Sequence, residues 1–236
     1  MESVYIPVKD GSLHCQIGGT GEPLLLLHGN GEDHTIFQQQ IEYFKLFYTV
    51  LALDTRGHGK SVVKHEKLTF KTFIKDIDTV LTYFHIEKTS IIGFSDGGNT
   101  ALLFAQHFPE KVTKLIVVGA NTDPEGMKKA EWLKVEAALA AIKIRGFFDP
   151  TFRSKRAVYE LMTTQLRNTR FDLTKILSPA LVMAGENDVI RLSHTQWIVQ
   201  QIKHSRLVII PKADHFFLLK NPSEFNAIAE SFLKKH

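Results

Sequence analysis

Three residue types in this chain, taken together, could activate an alcohol for attack on a carbonyl. Ser95 stands in the stretch IIGFSDGGNT, between Gly93 and Gly97 and directly after an apolar run. A serine hydroxyl is a weak nucleophile until a neighbouring base takes its proton, and that base works best when a third group orients it. His215, in VIIPKADHFF, and Asp188, in LVMAGENDVI, supply the base and the orienting acid. Each of the three follows an apolar run of strand length, in the chain order Ser95, Asp188, His215. In open α/β sheets ligands gather at the carboxyl ends of the strands, so three such residues are expected to meet at one rim. The expected chemistry is acyl transfer: Ser95 attacks, His215 shuttles the proton, and Asp188 holds the imidazole tautomer.

The local pattern around Ser95 supports that role. A Gly-x-Ser-x-Gly stretch between a strand and a helix places the serine on a sharp turn with its hydroxyl above the sheet. Gly93 and Gly97 lack a Cβ and let strand and helix approach, and Gly98 extends the clearance. Acyl transfer also needs donors already aimed at the developing oxyanion. The backbone N–H of Asp96, one past the nucleophile, is one candidate. The other is the N–H of Asn30, in LLLLHGNGED at the end of the first core strand. His28 reads as a hydrogen-bonding support for that loop. The Asp96 side chain has two readings: it faces the pocket and attracts a protonated amine, or it pairs with a protein base or water. Phe94, Phe216 and Trp132 are the candidate substrate contacts, and Phe147, Phe148 and Phe152 are candidates for an apolar wall.

The elements that must position these residues follow from apolar periodicity. Residues 4–7 and 13–17 read as a hairpin around Asp10-Gly11. Strand runs fall at 24–27, 50–53, 91–94, 115–118, 181–184 and 207–210, nearly continuously apolar as for strands covered on both faces. Helical spacing appears at 70–84, where Phe73, Ile77, Val80 and Leu81 recur, and at 100–107 and 225–233. This alternation predicts an α/β fold with a mostly parallel sheet and helices on both faces. Between 118 and 181 only helical segments occur, at 125–144 and 153–167, with Gly146 and Pro150 as punctuation. The expected division is a core of residues 1–120 and 177–236 with a helical cap at 121–176. The alternative is that those helices simply cover the sheet.

With these motifs in place, the chain resembles the α/β-hydrolase superfamily along nearly its whole length. HGNG corresponds to the oxyanion loop, DTRGHGKS follows the next strand, GFSDGG is the nucleophile turn, GENDVI carries the acid and ADHFF the base. The resemblance implies a sheet of about eight strands under a small helical cap, and no cofactor. The elbow is similar to small capped serine esterases, including amino-acid ester hydrolases of the valacyclovirase type, and to carbon–carbon bond hydrolases and cofactor-free haloperoxidases. Ser95 departs from dehalogenases and epoxide hydrolases, which use aspartate as nucleophile. The implied activity is hydrolysis of a small carboxylic ester or related acyl compound. The alternatives are a carbon–carbon hydrolase of a diketone-like substrate, and a small-molecule receptor that keeps the same residues.

Composition bounds the partners. The chain has 236 residues, 44% hydrophobic and 23% charged, in the range of globular proteins. The net charge of +4 is scattered, densest from Lys128 to Arg156, and reads as a solvated helical face without the interleaved aromatics of a nucleic-acid groove. One cysteine, Cys15, forbids an intramolecular disulfide. The apolar runs are strand-sized, so no membrane span is expected, and no leader pattern opens the chain; both fit a cytoplasmic protein. GHGKS has Asp54 where a phosphate loop needs glycine, and GNGEDH has His34 where a dinucleotide fingerprint needs one. The 11 histidines form no paired ligand motif, so no metal is expected. The sequence leaves the oligomeric state open.

Overall fold

The computed structural model describes residues 1–63, 68–149 and 152–234. Its frame is one sheet: β1 (Glu2–Val8), β2 (Gly11–Gly18), β3 (Pro23–Leu27), β4 (Thr49–Leu53), β5 (Val62–Val63), β6 (Thr89–Phe94), β7 (Val112–Val118), β8 (Ala180–Gly185) and β9 (Ser205–Ile210). The spatial order is β1-β2-β4-β3-β6-β7-β8-β9, with the two-residue β5 added on β2. The β1–β2 hairpin is antiparallel and turns at residues 8–11 as expected, and β2 meets β4 antiparallel. From β4 to β9 every pairing is parallel. The eight strands of the main path match the sequence reading; β5 was not expected.

The parallel strands are apolar on both faces because both faces are covered. Leu25, Leu27, Ile91 and Val117 point to one side and pack with Phe70, Phe73 and Ile77 of α2 (Phe70–Tyr83), Leu102 and Phe104 of α3 (Asp96–His107), and Ile198 of α6 (Leu192–Gln201). Leu24, Leu26, Ile92 and Val118 point to the other, against Ile41 and Phe44 of α1 (Gln38–Phe44) and Phe225 and Phe232 of α8 (Pro222–Leu233). Burying each such side chain stabilises the fold by about 1.5–3 kcal/mol relative to exposure. A short α7 (Phe217–Lys220) precedes α8.

Two differences from expectation have local causes. The helix after β6 starts at Asp96 rather than near residue 100, because the turn at Ser95 leads straight into it. Helices α1 and α6 were not expected. Few of their residues are buried apolar ones, so neither shows a clear stripe.

Between β7 and β8 lie α4 (Lys129–Phe148) and α5 (Phe152–Glu160), the latter continued by a π turn at Leu161–Gln165. Only Leu139 of α4 is buried. Lys128, Lys129, Lys134, Lys143, Arg145, Lys155 and Arg156 are all exposed, as a solvated face requires. Pro150 lies outside the described residues.

A salt-bridge node braces the loop after β4. The Arg56 guanidinium, 5% exposed, donates to both oxygens of Asp76 on α2 at 2.8 Å. It also donates to both oxygens of Asp10 in the hairpin turn at 2.9 and 2.8 Å. Bidentate guanidinium–carboxylate pairs of this kind are directional as well as strong.

Candidate active site

The turn after β6 holds Ser95 at φ 53°, ψ −120°, a region that non-glycine residues seldom occupy. Such a conformation costs on the order of 1–3 kcal/mol and persists only where its surroundings enforce it. Here the Ser95 N–H donates to Val118 O at 2.8 Å, and Ser95 O accepts from Asn99 N at 3.1 Å. A Cβ at Gly97 would collide with the Leu27 and His28 carbonyls, and one at Gly93 with Gly97 itself. The glycines therefore serve the close packing that the sequence suggested.

The three loops do converge. Ser95 Oγ lies 3.1 Å from His215 Nε2, and His215 Nδ1 lies 2.7 Å from Asp188 Oδ1. Asp188 is 1% exposed, and Oδ1 also accepts the Ile190 N–H at 2.9 Å, which fixes the carboxylate. With the Nδ1 proton directed at Asp188, Nε2 is the lone-pair nitrogen that accepts from Ser95. The backbone N–H groups of Asn30 and Asp96 have no protein acceptor among the described residues. Asp96 opens α3, where N–H groups lack intrahelical partners.

The loop that carries Asn30 is held by His28. Its Nδ1 donates to Gly29 O at 2.7 Å, and its Nε2 accepts from Thr55 N at 3.0 Å. Burial, and His58 beside it, push this imidazole down to about 4, so it stays neutral. The Asn30 side-chain amide donates to Val158 O of α5 at 2.7 Å and so ties the loop to the helices above.

A cavity of about 250 Å³ opens over Ser95. Phe94 and Phe216 line it, with their rings 4.9 and 5.3 Å from the His215 imidazole. Trp132 does not line it. Met127, Glu131, Lys134 and Val135 face the cavity from α4 and the turn before it. Trp132 sits one residue past Glu131, about 100° around the helix, and packs under Arg167 at 5.9 Å. Phe147 and Phe148 are 85% and 80% exposed and form no wall. Phe152 lines a separate, larger cavity of about 800 Å³ beneath α4 and α5.

Asp96 faces the cavity and is 5% exposed. Its Oδ1 accepts from Asn99 Nδ2 at 2.9 Å, while Oδ2 is buried with no partner. Burial pushes this carboxyl up to about 6, against the lowering pull of Asn99 and His215. Among the described residues no lysine or arginine pairs with it, and the residue is part of the cavity lining.

Sequence reasoning missed Glu32, Asn99, Asn121 and Gly119. Glu32 lies within the quoted oxyanion-loop stretch, so a charge beside a proposed oxyanion donor was the available signal. Asn99 follows Asp96 by three residues, the spacing that puts two helical side chains on one face. Asn121 accepts from Asn99 Nδ2 at 3.4 Å and donates its own N–H to Asn99 Oδ1 at 2.9 Å.

One cluster among the described residues has metal-ligand composition: His14, His34 and Asp54, all buried. Asp54 already accepts from His14 Nδ1 at 2.8 Å, from His34 Nδ1 at 2.7 Å, and from the N–H groups of His34 and Lys60. The carboxylate's bonding positions are thus filled by protein donors, and the cluster reads as a structural hydrogen-bond node.

The fold and a serine–histidine–aspartate contact at its strand ends define a class, and comparison with known proteins gives the family. The family described as alpha/beta hydrolase fold matches residues 22–147. Serine hydrolase BPHL of Homo sapiens is 30% identical over 253 residues, covering 98% of this chain and 86% of that protein. The 3-oxoadipate enol-lactonase 2 of Acinetobacter baylyi is 28% identical over 250 residues, covering 94% and 92%. The chain belongs to the alpha/beta hydrolase family and is a hydrolase. The structure of an esterase from Exiguobacterium antarcticum superposes with a TM-score of 0.83 at 23% identity, each chain covered in full, which shows the shared fold. Among the described residues no helix is long and apolar enough to cross a membrane.

Proposed function

We propose that this protein is a serine ester hydrolase acting through Ser95, His215 and Asp188, with a preference for small esters that carry a protonated amine near the scissile carbonyl. The observation that carries the reading is the unbroken hydrogen-bond path from Ser95 Oγ to His215 to Asp188, 3.1 and 2.7 Å long, beside a cavity. His215 takes the Ser95 proton as Oγ attacks the ester carbonyl carbon. The oxyanion is received by the N–H groups of Asn30 and Asp96. The protonated imidazole then gives its proton to the leaving alcohol as the acyl-enzyme forms. Water repeats the sequence and releases the acid. Residues 121–176 act as a cap over this chemistry.

The amine preference is supported by Asp96, a residue of the cavity lining whose Oδ2 is buried and unpartnered. A carbon–carbon hydrolase acting on diketone-like acids would use the same relay but needs basic groups for the substrate carboxylates. Lys134 is the one lysine or arginine lining the cavity among the described residues, and it is already paired with Glu131 at 2.8 Å.

The test is turnover of matched esters with and without an α-amino group by wild type, Ser95→Ala and Asp96→Asn. Ser95→Ala should lose about 10⁶ in kcat if the three residues act as a unit. Asp96→Asn should equalise the two esters. Near wild-type turnover by Ser95→Ala, or an unchanged ratio in Asp96→Asn, refutes the corresponding half of the reading.

A further inference from the structure

The charge balance of the catalytic cavity is uneven. Among the described residues three acidic ones line it, Glu32, Asp96 and Glu131, against one lysine, Lys134. That lysine is paired with Glu131 and its side chain is 72% exposed, so it neutralises neither of the others. Asp96 has an orphaned, buried oxygen. Glu32 has one hydrogen bond, accepted by Oε2 from the Gly29 N–H at 2.9 Å, and no lysine or arginine partner among the described residues. Its carboxyl is close to the nucleophile: a Cβ built on Gly29 would lie 2.7 Å from Glu32 Oε2 and 3.1 Å from Ser95 Cβ.

Glu32 also occupies a junction. Together with Asn30 and Met162 it lines both the catalytic cavity and the larger one beneath α4 and α5. Glu32 is thus the carboxyl common to the walls of both spaces. Burial pushes Glu32 up to about 7 against the lowering pull of the Gly29 N–H and His215, with Asp33 and Asp96 adding to the rise. Glu32 and Asp96 are two desolvated acids near one another, with no lysine or arginine paired to either among the described residues. A ligand cation beside them would favour their charged forms.

We propose that Glu32 is a second ammonium-binding residue, so that the preferred substrates are dibasic: small esters of diamino acids, with the α-ammonium at Asp96 and the side-chain ammonium at Glu32. This rests on the amine-directed ester hydrolase reading above. Each contact is a charge-assisted hydrogen bond to a partly desolvated carboxylate, an interaction that discriminates by about ten- to hundredfold.

The experiment measures kcat/KM for four methyl esters, those of lysine, norleucine, 6-aminohexanoic acid and hexanoic acid, with wild type and Glu32→Gln. Glutamine keeps an acceptor for the Gly29 N–H while removing the charge. Wild type should prefer the lysine ester over the norleucine ester about ten- to hundredfold, mainly through KM. In Glu32→Gln that ratio should fall to near one, while the ratio of norleucine to hexanoate ester, which reports Asp96, stays above one. Norleucine ester turnover with no preference for lysine in wild type overturns the Glu32 assignment alone, as does a lysine preference that survives in Glu32→Gln. Absence of turnover for all four esters overturns the ester hydrolase reading and this assignment with it.

Discussion

A β-carbon on Gly119 would stand 2.6 Å from Cε1 and 2.8 Å from Nδ1 of His215. The imidazole therefore lies directly on a bare Cα at the end of β7, with Asp188 Oδ2 3.4 Å from the same point. Gly119 also has φ +60°, and its N–H is fixed to Met183 O at 2.9 Å, so the backbone has little freedom to retreat. Gly119→Ala should displace the imidazole from Ser95. Misplacement of a reacting group by about 1 Å can cost roughly 10²-fold in rate, and the left-handed backbone adds about 1 kcal/mol of strain. Steady-state kinetics should show the loss in kcat with KM little changed, while circular dichroism shows a folded protein. Wild-type kcat in this variant would mean the ring has room the structure denies.

Asp96 should reveal a conflict between stability and function. Its carboxyl sits at about 6 in the folded protein against an ordinary 3.8, chiefly because burial disfavours the charged form. Between those two values the folded state holds more proton than the unfolded state, so stability falls as pH rises from about 4 to about 6. Above that window the full cost remains, on the order of 3 kcal/mol for a shift of about two units. Asp96→Asn removes the charge and can keep the acceptor that Asn99 uses. Urea denaturation at pH 7.5 should show the variant more stable by about 1–3 kcal/mol, with the gain shrinking toward zero near pH 4. Equal stability at both pH values would show that the carboxylate is well solvated. Sites held destabilised for function behave in this way.

The Arg56 node should respond asymmetrically. Removing Asp76 leaves a buried guanidinium with only Asp10, whose side chain is 33% exposed. Breaking one partner of a buried ion pair costs about 3–5 kcal/mol, whereas replacing both partners by apolar groups is often nearly neutral. Asp76→Ala should therefore lower the urea midpoint strongly, and Arg56→Met with Asp76→Leu should recover much of the loss. If the double variant is as weak as the single one, the pair itself, rather than the stranded charge, supplies the stability.

These residues also show what was legible in the chain. Ser95, Asp188 and His215 could be read because each lies within about five residues of the end of a strand-length apolar run, and parallel topology brings the ends of such runs to one rim. The loop of the proposed oxyanion donor Asn30 and the glycine turn were equally local signals. Trp132 misled because choosing the cavity-facing side of α4 requires its rotational phase, and a helix with one buried residue, Leu139, gives the sequence no apolar stripe to set that phase. Gly119 was invisible because the reason for it is His215, 96 positions away and meeting it only in the folded sheet. Helix α1 was hidden by its composition: Gln40 is fully buried, and its Nε2 donates to Leu218 O at 3.1 Å, a contact no periodicity announces.

Asn30 separates backbone from side-chain roles. Its N–H is the proposed oxyanion donor, while its amide bonds Val158 O of α5. Asn30→Ala keeps the first and deletes the second. If the backbone N–H is the donor, kcat on a small activated ester should fall less than about tenfold, because an oxyanion donor itself is worth about 10²–10³. Losing the tie to α5 should appear instead as a raised KM and faster hydrogen exchange in α5, since a helix with few buried contacts opens locally at low cost. A kcat loss of 10² or more with unchanged exchange would move the donor from the backbone of residue 30 to its side chain, and the amide would then have to leave Val158 during the reaction.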